Sequence, residues 1–183
     1  ADIINMSLGG SPACPGSQDV VNQLVSRGIV VIAAAGNEST SSPSYPAALN
    51  NVISVSATTF TDELAPYSNF GSTVDVAAPG GDSSIDLNND GYVDSVLSTV
   101  LTVEKGTASK TLNYAFMQGT SMASPHMAGV AALMKAVYPG MGPNEFLTGL
   151  SGGDITIDLA QNGASNKDSS FGYGRIDAQK AVN

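Results

Sequence analysis

Unbroken apolar runs, more than alternation, dominate the first half of the chain. Residues 3–8 and 29–35 are short, nearly continuous apolar stretches, and the second opens on β-branched side chains. Such runs predict strands buried on both faces, as in a parallel sheet. Between them, Val20, Val21, Leu24 and Val25 fall at helical spacing over 19–27, and Gly28 stands where a helix would stop. Strand, helix and strand with tight links predict a right-handed parallel crossover. Residues 52–58 and 73–78 predict two further buried strands, and the Ser-, Thr-, Pro- and Asn-rich stretch 36–51 predicts a loop.

The second half reads differently. Residues 82–94 are polar and acidic, and the alternating segments 98–104 and 111–117 around Gly106 predict a hairpin. Residues 127–138 are small and apolar on all sides, which predicts a buried helix with Pro125 in its first turn. Short helices are expected near 144–150 and 178–182. The pattern as a whole gives an α/β fold, a parallel sheet flanked by helices, with no internal repeat and no linker. Because the chain enters a strand at once, the N-terminal part of the fold is expected to be absent from it.

Composition narrows the function classes. With 183 residues, 42% of them apolar and 13% charged, the chain can bury a core and lacks the signature of disorder. A net charge of −9 repels phosphate backbones and anionic lipid, so neither nucleic acid nor a membrane is an expected partner. The longest apolar run is too short to span a bilayer, and no signal peptide opens the sequence. The one cysteine, Cys14, reads either as a small buried thiol or as half of a disulfide to a cysteine outside this sequence.

Ser121 is the candidate nucleophile. A serine at the N-terminus of a buried helix receives the free first-turn N–H groups and the positive end of the helix dipole. Gly119 before it allows close backbone approach. From helix-start spacing alone, a capping role for Thr120 or Ser121 is the better reading. The surrounding motifs reverse that. Gly119-Thr120-Ser121-Met122-Ala123-Ser124-Pro125-His126 resembles the nucleophile motif of the subtilisin-like serine proteases, the subtilases. Ala33-Ala34-Ala35-Gly36-Asn37 is similar to the family's strand leading to its oxyanion-hole asparagine. Ser7-Leu8-Gly9-Gly10 is similar to its substrate-binding strand. Tyr45-Pro46-Ala47, Ser68-Asn69-Phe70-Gly71, Ala78-Pro79-Gly80 and the segment from Gly172 to Ala178 follow in family order.

The resemblance implies that residues 1–183 are the C-terminal portion of one subtilisin-like peptidase domain. It implies that Ser121 attacks the scissile carbonyl while the Asn37 amide and the Ser121 N–H hold the oxyanion. Ser7, Leu8 and Gly9 would form one wall of the specificity pocket, Ala34, Ala35 and Gly36 the other, and Ser44 its floor. Apolar walls over a small uncharged floor favour apolar or aromatic substrate side chains. The family's aspartate and histidine motifs are not found. The only histidine, His126, lies five residues after Ser121 and about 140° around the helix. This chain is therefore expected to be inactive alone, and to need as partner the N-terminal part of the domain that carries the Asp and the His. The resemblance also implies polypeptide substrates and secretion. A non-catalytic peptide-binding module is the alternative. An esterase of the α/β-hydrolase type is disfavoured, because no Gly-x-Ser-x-Gly surrounds Ser121.

One acidic stretch suggests a metal. Asp86, Asn88, Asp90 and Asp94 supply oxygens at relative positions 1, 3, 5 and 9. Gly91 falls at position 6, and the Tyr92 carbonyl is available at position 7. Leu97 occupies position 12, where a full loop of this type has a bidentate Glu. Structural Ca²⁺ is the expectation, with a solvated acidic turn as the other reading.

Overall fold

The computed structural model describes residues 1–103, 106 and 110–183. In chain order the elements are β1 (Ile3–Met6), α1 (Ser17–Ser26), β2 (Val30–Ala34), β3 (Ile53–Thr58), β4 (Val76–Pro79), β5 (Val96–Val103), β6 (Lys110–Met117), α2 (Thr120–Val137), α3 (Pro143–Gly152), β7 (Thr156–Ile157) and β8 (Arg175–Ile176). A short 3-10 turn at Lys180–Val182 closes the chain. Six strands form one sheet in the order β1-β2-β3-β4-β8-β7. The first five are parallel, and β7 adds to the edge antiparallel.

The apolar run of β2 is unbroken because both faces of the sheet are covered. Val30 and Ile32 face the larger core, made with α2 and α3 through Met127, Ala131, Phe146 and Leu150. Val31 and Ala33 face the smaller one, closed by α1 through Val21 with Leu24 and Val25 beside it. The predicted Gly28 stop is present: Gly28 takes a positive φ of 79°, and its N–H and that of Ile29 return to the carbonyls of Val25 and Leu24.

Three expectations need correction. Helix α2 begins at Thr120, so Pro125 sits in its second turn and not its first. The final helix near 178–182 is only the 3-10 turn. Cys14 is exposed before α1, which removes the buried-thiol reading. Strands β7 and β8, two residues each, are additional. The hairpin is present as β5 and β6, paired from Val96↔Met117 to Val103↔Lys110; Glu104, included in the predicted first strand, lies outside the described residues. One face of the hairpin carries Leu97, Leu101, Leu112 and Tyr114, all exposed. No helix among the described residues is long and apolar enough to cross a membrane.

Candidate active site

The parallel strands deliver the site at their C-terminal ends, the usual location for ligands in such sheets. Register pairing between β1 and β2 stops at Met6↔Ala33. The next residues, Ser7-Leu8-Gly9 on one chain segment and Ala34-Ala35-Gly36 on the other, therefore emerge side by side. Gly9 is closely approached: a Cβ there would stand 2.8 Å from Ser44 Oγ, which would have to move, 3.4 Å from the Tyr45 carbonyl oxygen and 3.8 Å from that of Ala34. The Tyr45 segment is held against Gly10 by reciprocal backbone hydrogen bonds of 2.9 and 2.7 Å. Residues 9, 34 and 44, singled out as wall, wall and floor, thus meet at one place.

Helix α2 runs beneath the sheet and starts at the same end. Its N-cap is Gly119, at φ 142° and ψ 162°, and no side chain caps it. Thr120 does not cap the helix; its backbone N–H and its hydroxyl both donate to Asn37 Oδ1, each at 2.9 Å. The Thr120 hydroxyl oxygen in turn accepts the Gly36 N–H at 3.2 Å. With Oδ1 committed to two donors, the orientation of the Asn37 amide is fixed and Nδ2 becomes the free donor. A Cβ on Gly119 would lie 3.6 Å from the Ser121 nitrogen and 3.7 Å from Asn37 Nδ2. The Ser121 nitrogen and both ends of the Asn37 amide, with Oδ1 also at 3.7 Å, thus border the space in front of Gly119 at ordinary contact distance, and it is the φ of 142° that favours glycine there. The hydroxyl of Ser121 itself has only a long contact, 3.4 Å, to the Ser7 carbonyl.

The loop carrying Asn37 is stapled by a residue the sequence gave little reason to single out beyond its motif. Asn69 is buried, 3% exposed. Its Oδ1 accepts the N–H groups of Glu38 and Thr40, and its Nδ2 donates to the Ala35 carbonyl and the Glu38 carboxylate. A buried asparagine must satisfy both ends of its amide, and here it does so entirely on the segment 35–40. Tyr67 plays a comparable part from the other side. Its hydroxyl donates to the Gly81 carbonyl at 2.7 Å and accepts the Gly119 N–H at 3.0 Å. Burial pushes the Tyr67 hydroxyl up to about 12; the Gly119 hydrogen bond lowers it and the charge of Asp82 raises it further. It stays protonated as a donor at neutral pH.

His126 does not reach Ser121. It is exposed, and its Nδ1 is 2.8 Å from the carbonyl oxygen of Met122 in its own helix. The acidic loop lies elsewhere: Asn88, Asp90, Tyr92 and Asp94 line an open cavity of about 840 Å³ with Phe60, Leu97 and Phe116, and share none of it with Ser121. Within the loop, Asp86 accepts the N–H groups of Asp90 and Gly91, Asn88 accepts that of Asp90, and Asp90 accepts that of Tyr92. Among the described residues no three His, Cys, Asp or Glu side chains gather as a metal-ligand group.

A helix-start N–H, a fixed side-chain amide and a lightly held serine hydroxyl lie together here; acyl transfer can use such groups, and needs a general base besides. The family model described as "Subtilase family" matches residues 1–174. The chain belongs to the subtilase family. It is 47% identical over 143 residues to an extracellular protease of Xanthomonas campestris pv. campestris, covering 76% of this chain and 22% of that one. It is 35% identical over 184 residues to thermitase of Thermoactinomyces vulgaris, covering 100% of this chain and 54% of the relative. Among solved structures, a protease from Pseudoalteromonas arctica matches with a TM-score of 0.81 at 40% identity, over 100% of this chain and 50% of that one. The chain thus spans about half or less of the length of these subtilases.

Proposed function

We propose that this chain is the nucleophile-bearing and oxyanion-binding part of a secreted serine endopeptidase. The observation that carries the reading is the Asn37 amide, locked by Thr120 so that its Nδ2 borders the same space as the Ser121 N–H. Ser121 Oγ attacks the scissile carbonyl, and the oxyanion that forms accepts from Asn37 Nδ2 and the Ser121 N–H. The Ser121 proton passes to a histidine oriented by an aspartate. Both come from the N-terminal part of the domain, since His126 is turned onto its own helix. Ser7-Leu8-Gly9 pairs with an extended peptide by β-augmentation, while Ala34-Ala35-Gly36 and Ser44 complete a pocket for an apolar or aromatic side chain. The names of the relatives, extracellular proteases among them, support both the chemistry and the secretion.

The test is covalent. In the full-length protease, an arylsulfonyl fluoride is expected to abolish peptide cleavage and to leave one adduct, mapped by mass spectrometry to Ser121. Loss of activity with the adduct on any other residue would refute the assignment.

We propose in addition that the acidic loop takes Ca²⁺ as a structural ion, through Asp86, Asn88, Asp90, the Tyr92 carbonyl and Asp94. The spacing supports this, as does the tight turn at Gly91, with φ 89°, that bends the side chains of 86, 88 and 90 back onto the loop. Added Ca²⁺ is expected to raise the melting temperature of the protein and to leave that of Asp90→Ala unmoved. Equal behaviour of the two proteins in a calcium titration would dispose of the site.

A further inference from the structure

We infer that Ser7 is a positioning residue for the nucleophile, acting through its hydroxyl, in addition to forming a wall of the pocket. This rests on the reading of Ser121 as the nucleophile. The argument begins at Pro125. In a regular α-helix the N–H of residue 125 would bond the carbonyl of residue 121. Proline has no N–H, so the carbonyl of Ser121 is left without its intrahelical partner. The Ser7 hydroxyl takes that place, donating to the Ser121 carbonyl at 2.8 Å from a different element.

Proton counting then fixes the rest of the cluster. Ser7 has one O–H, and it is spent on Ser121. The 3.1 Å contact between Ser7 Oγ and Ser124 Oγ must therefore be donated by Ser124, and the Asn5 amide donates to the same oxygen at 3.0 Å. Ser124 is fully buried, and Ser7 Oγ is its side chain's hydrogen-bond partner. The Ser7 carbonyl oxygen is meanwhile the group nearest the resting Ser121 hydroxyl, at 3.4 Å. Ser7 thus grips Ser121 at two points, by donating to its carbonyl and by accepting from its side chain. It sits directly after β1, on the segment assigned to pair with the peptide. Substrate wall and nucleophile are thereby held in one register by a bond to a carbonyl that Pro125 leaves without its intrahelical donor.

The test uses the full-length protease and a double-mutant design. Ser7→Ala is expected to lower kcat about fivefold, the scale of one hydrogen bond, with KM changed less than about twofold. Ser7→Thr keeps the hydroxyl and should lose less kcat than Ser7→Ala. Pro125→Ala returns an N–H that can take the Ser121 carbonyl, so in that background the kcat cost of Ser7→Ala should fall below about twofold. Ser7→Cys, close in size and a weak donor, covers the case in which Ser7→Ala does not fold. It must show a kcat loss that Pro125→Ala again relieves. An equal loss in both backgrounds, a change confined to KM, or no loss would each overturn the inference. Hydrolysis surviving in Ser121→Ala would instead overturn the reading beneath it.

Discussion

Ser121→Ala in the full-length protease will reduce kcat by about 10⁶-fold, a magnitude carried over from a subtilisin, while leaving the melting temperature nearly unchanged. The two halves of that result come from one observation. Among the described residues the Ser121 hydroxyl makes one hydrogen bond, a long one of 3.4 Å, so deleting its oxygen removes little folding energy. Its backbone is secured independently, through the start of α2 and the Ser7 hydroxyl. The variant keeps the proposed wall segments and both proposed oxyanion donors, so a peptide inhibitor should bind it as before. Calorimetry and a peptide-hydrolysis assay on the same preparation check both halves. A large fall in stability would mean that the serine is structural, and the assignment would fail.

Asn37→Asp should cost about 10²–10³ in kcat, again a range carried over from a subtilisin, with KM little altered. Aspartate is the informative substitution because it separates the two ends of the amide. Oδ1 accepts from the Thr120 N–H and hydroxyl, and a carboxylate can accept both, so the loop keeps its anchor. Nδ2 is what disappears. In its place stands an acceptor, repelling the charge that develops in the transition state. Asn37→Ala would mix this loss with the release of Thr120 and would report less clearly. If Asn37→Asp retains kcat within about threefold, Nδ2 is not an oxyanion donor and the proposed hole is wrong.

Much of this was legible in the residues, for reasons that differ from place to place. Strand β2 could be read because both faces of the sheet are covered there and residues 30–34 are all apolar; β3, buried just as fully, was harder to tell, since it carries Ser54, Ser56 and Thr58. The start of α2 could be located only roughly. Proline in a first turn is the ordinary expectation, and here the second turn accepts one because Ser7, remote in sequence, supplies the missing bond. Strands β7 and β8 have no run long enough to leave a pattern; they exist because β4 offers Ala77 a partner in Arg175. At the site, Ser121 and Asn37 were marked by their motifs. The work of Thr120, Asn69 and Tyr67 was not, since each acts by holding a neighbour's backbone or side chain in place, a property of the folded arrangement and not of spacing.

The segment between β4 and α2 leaves the sheet at Gly80 and returns at Gly119, and those two residues are joined at the base: the Gly119 N–H donates to the Gly80 carbonyl at 3.0 Å, with Tyr67 bridging Gly81 and Gly119 beside them. The acidic loop and the hairpin therefore hang from a closure made at the base of the excursion. Lengthening such an excursion costs only about 0.6 kcal/mol of loop-closure entropy for each doubling. Other subtilases are therefore expected to differ in length across this stretch while keeping the closure at its base. Subtilases with excursions of unequal length but an unmoved Gly80–Gly119 pairing would bear this out; a separation that widens with length would contradict it.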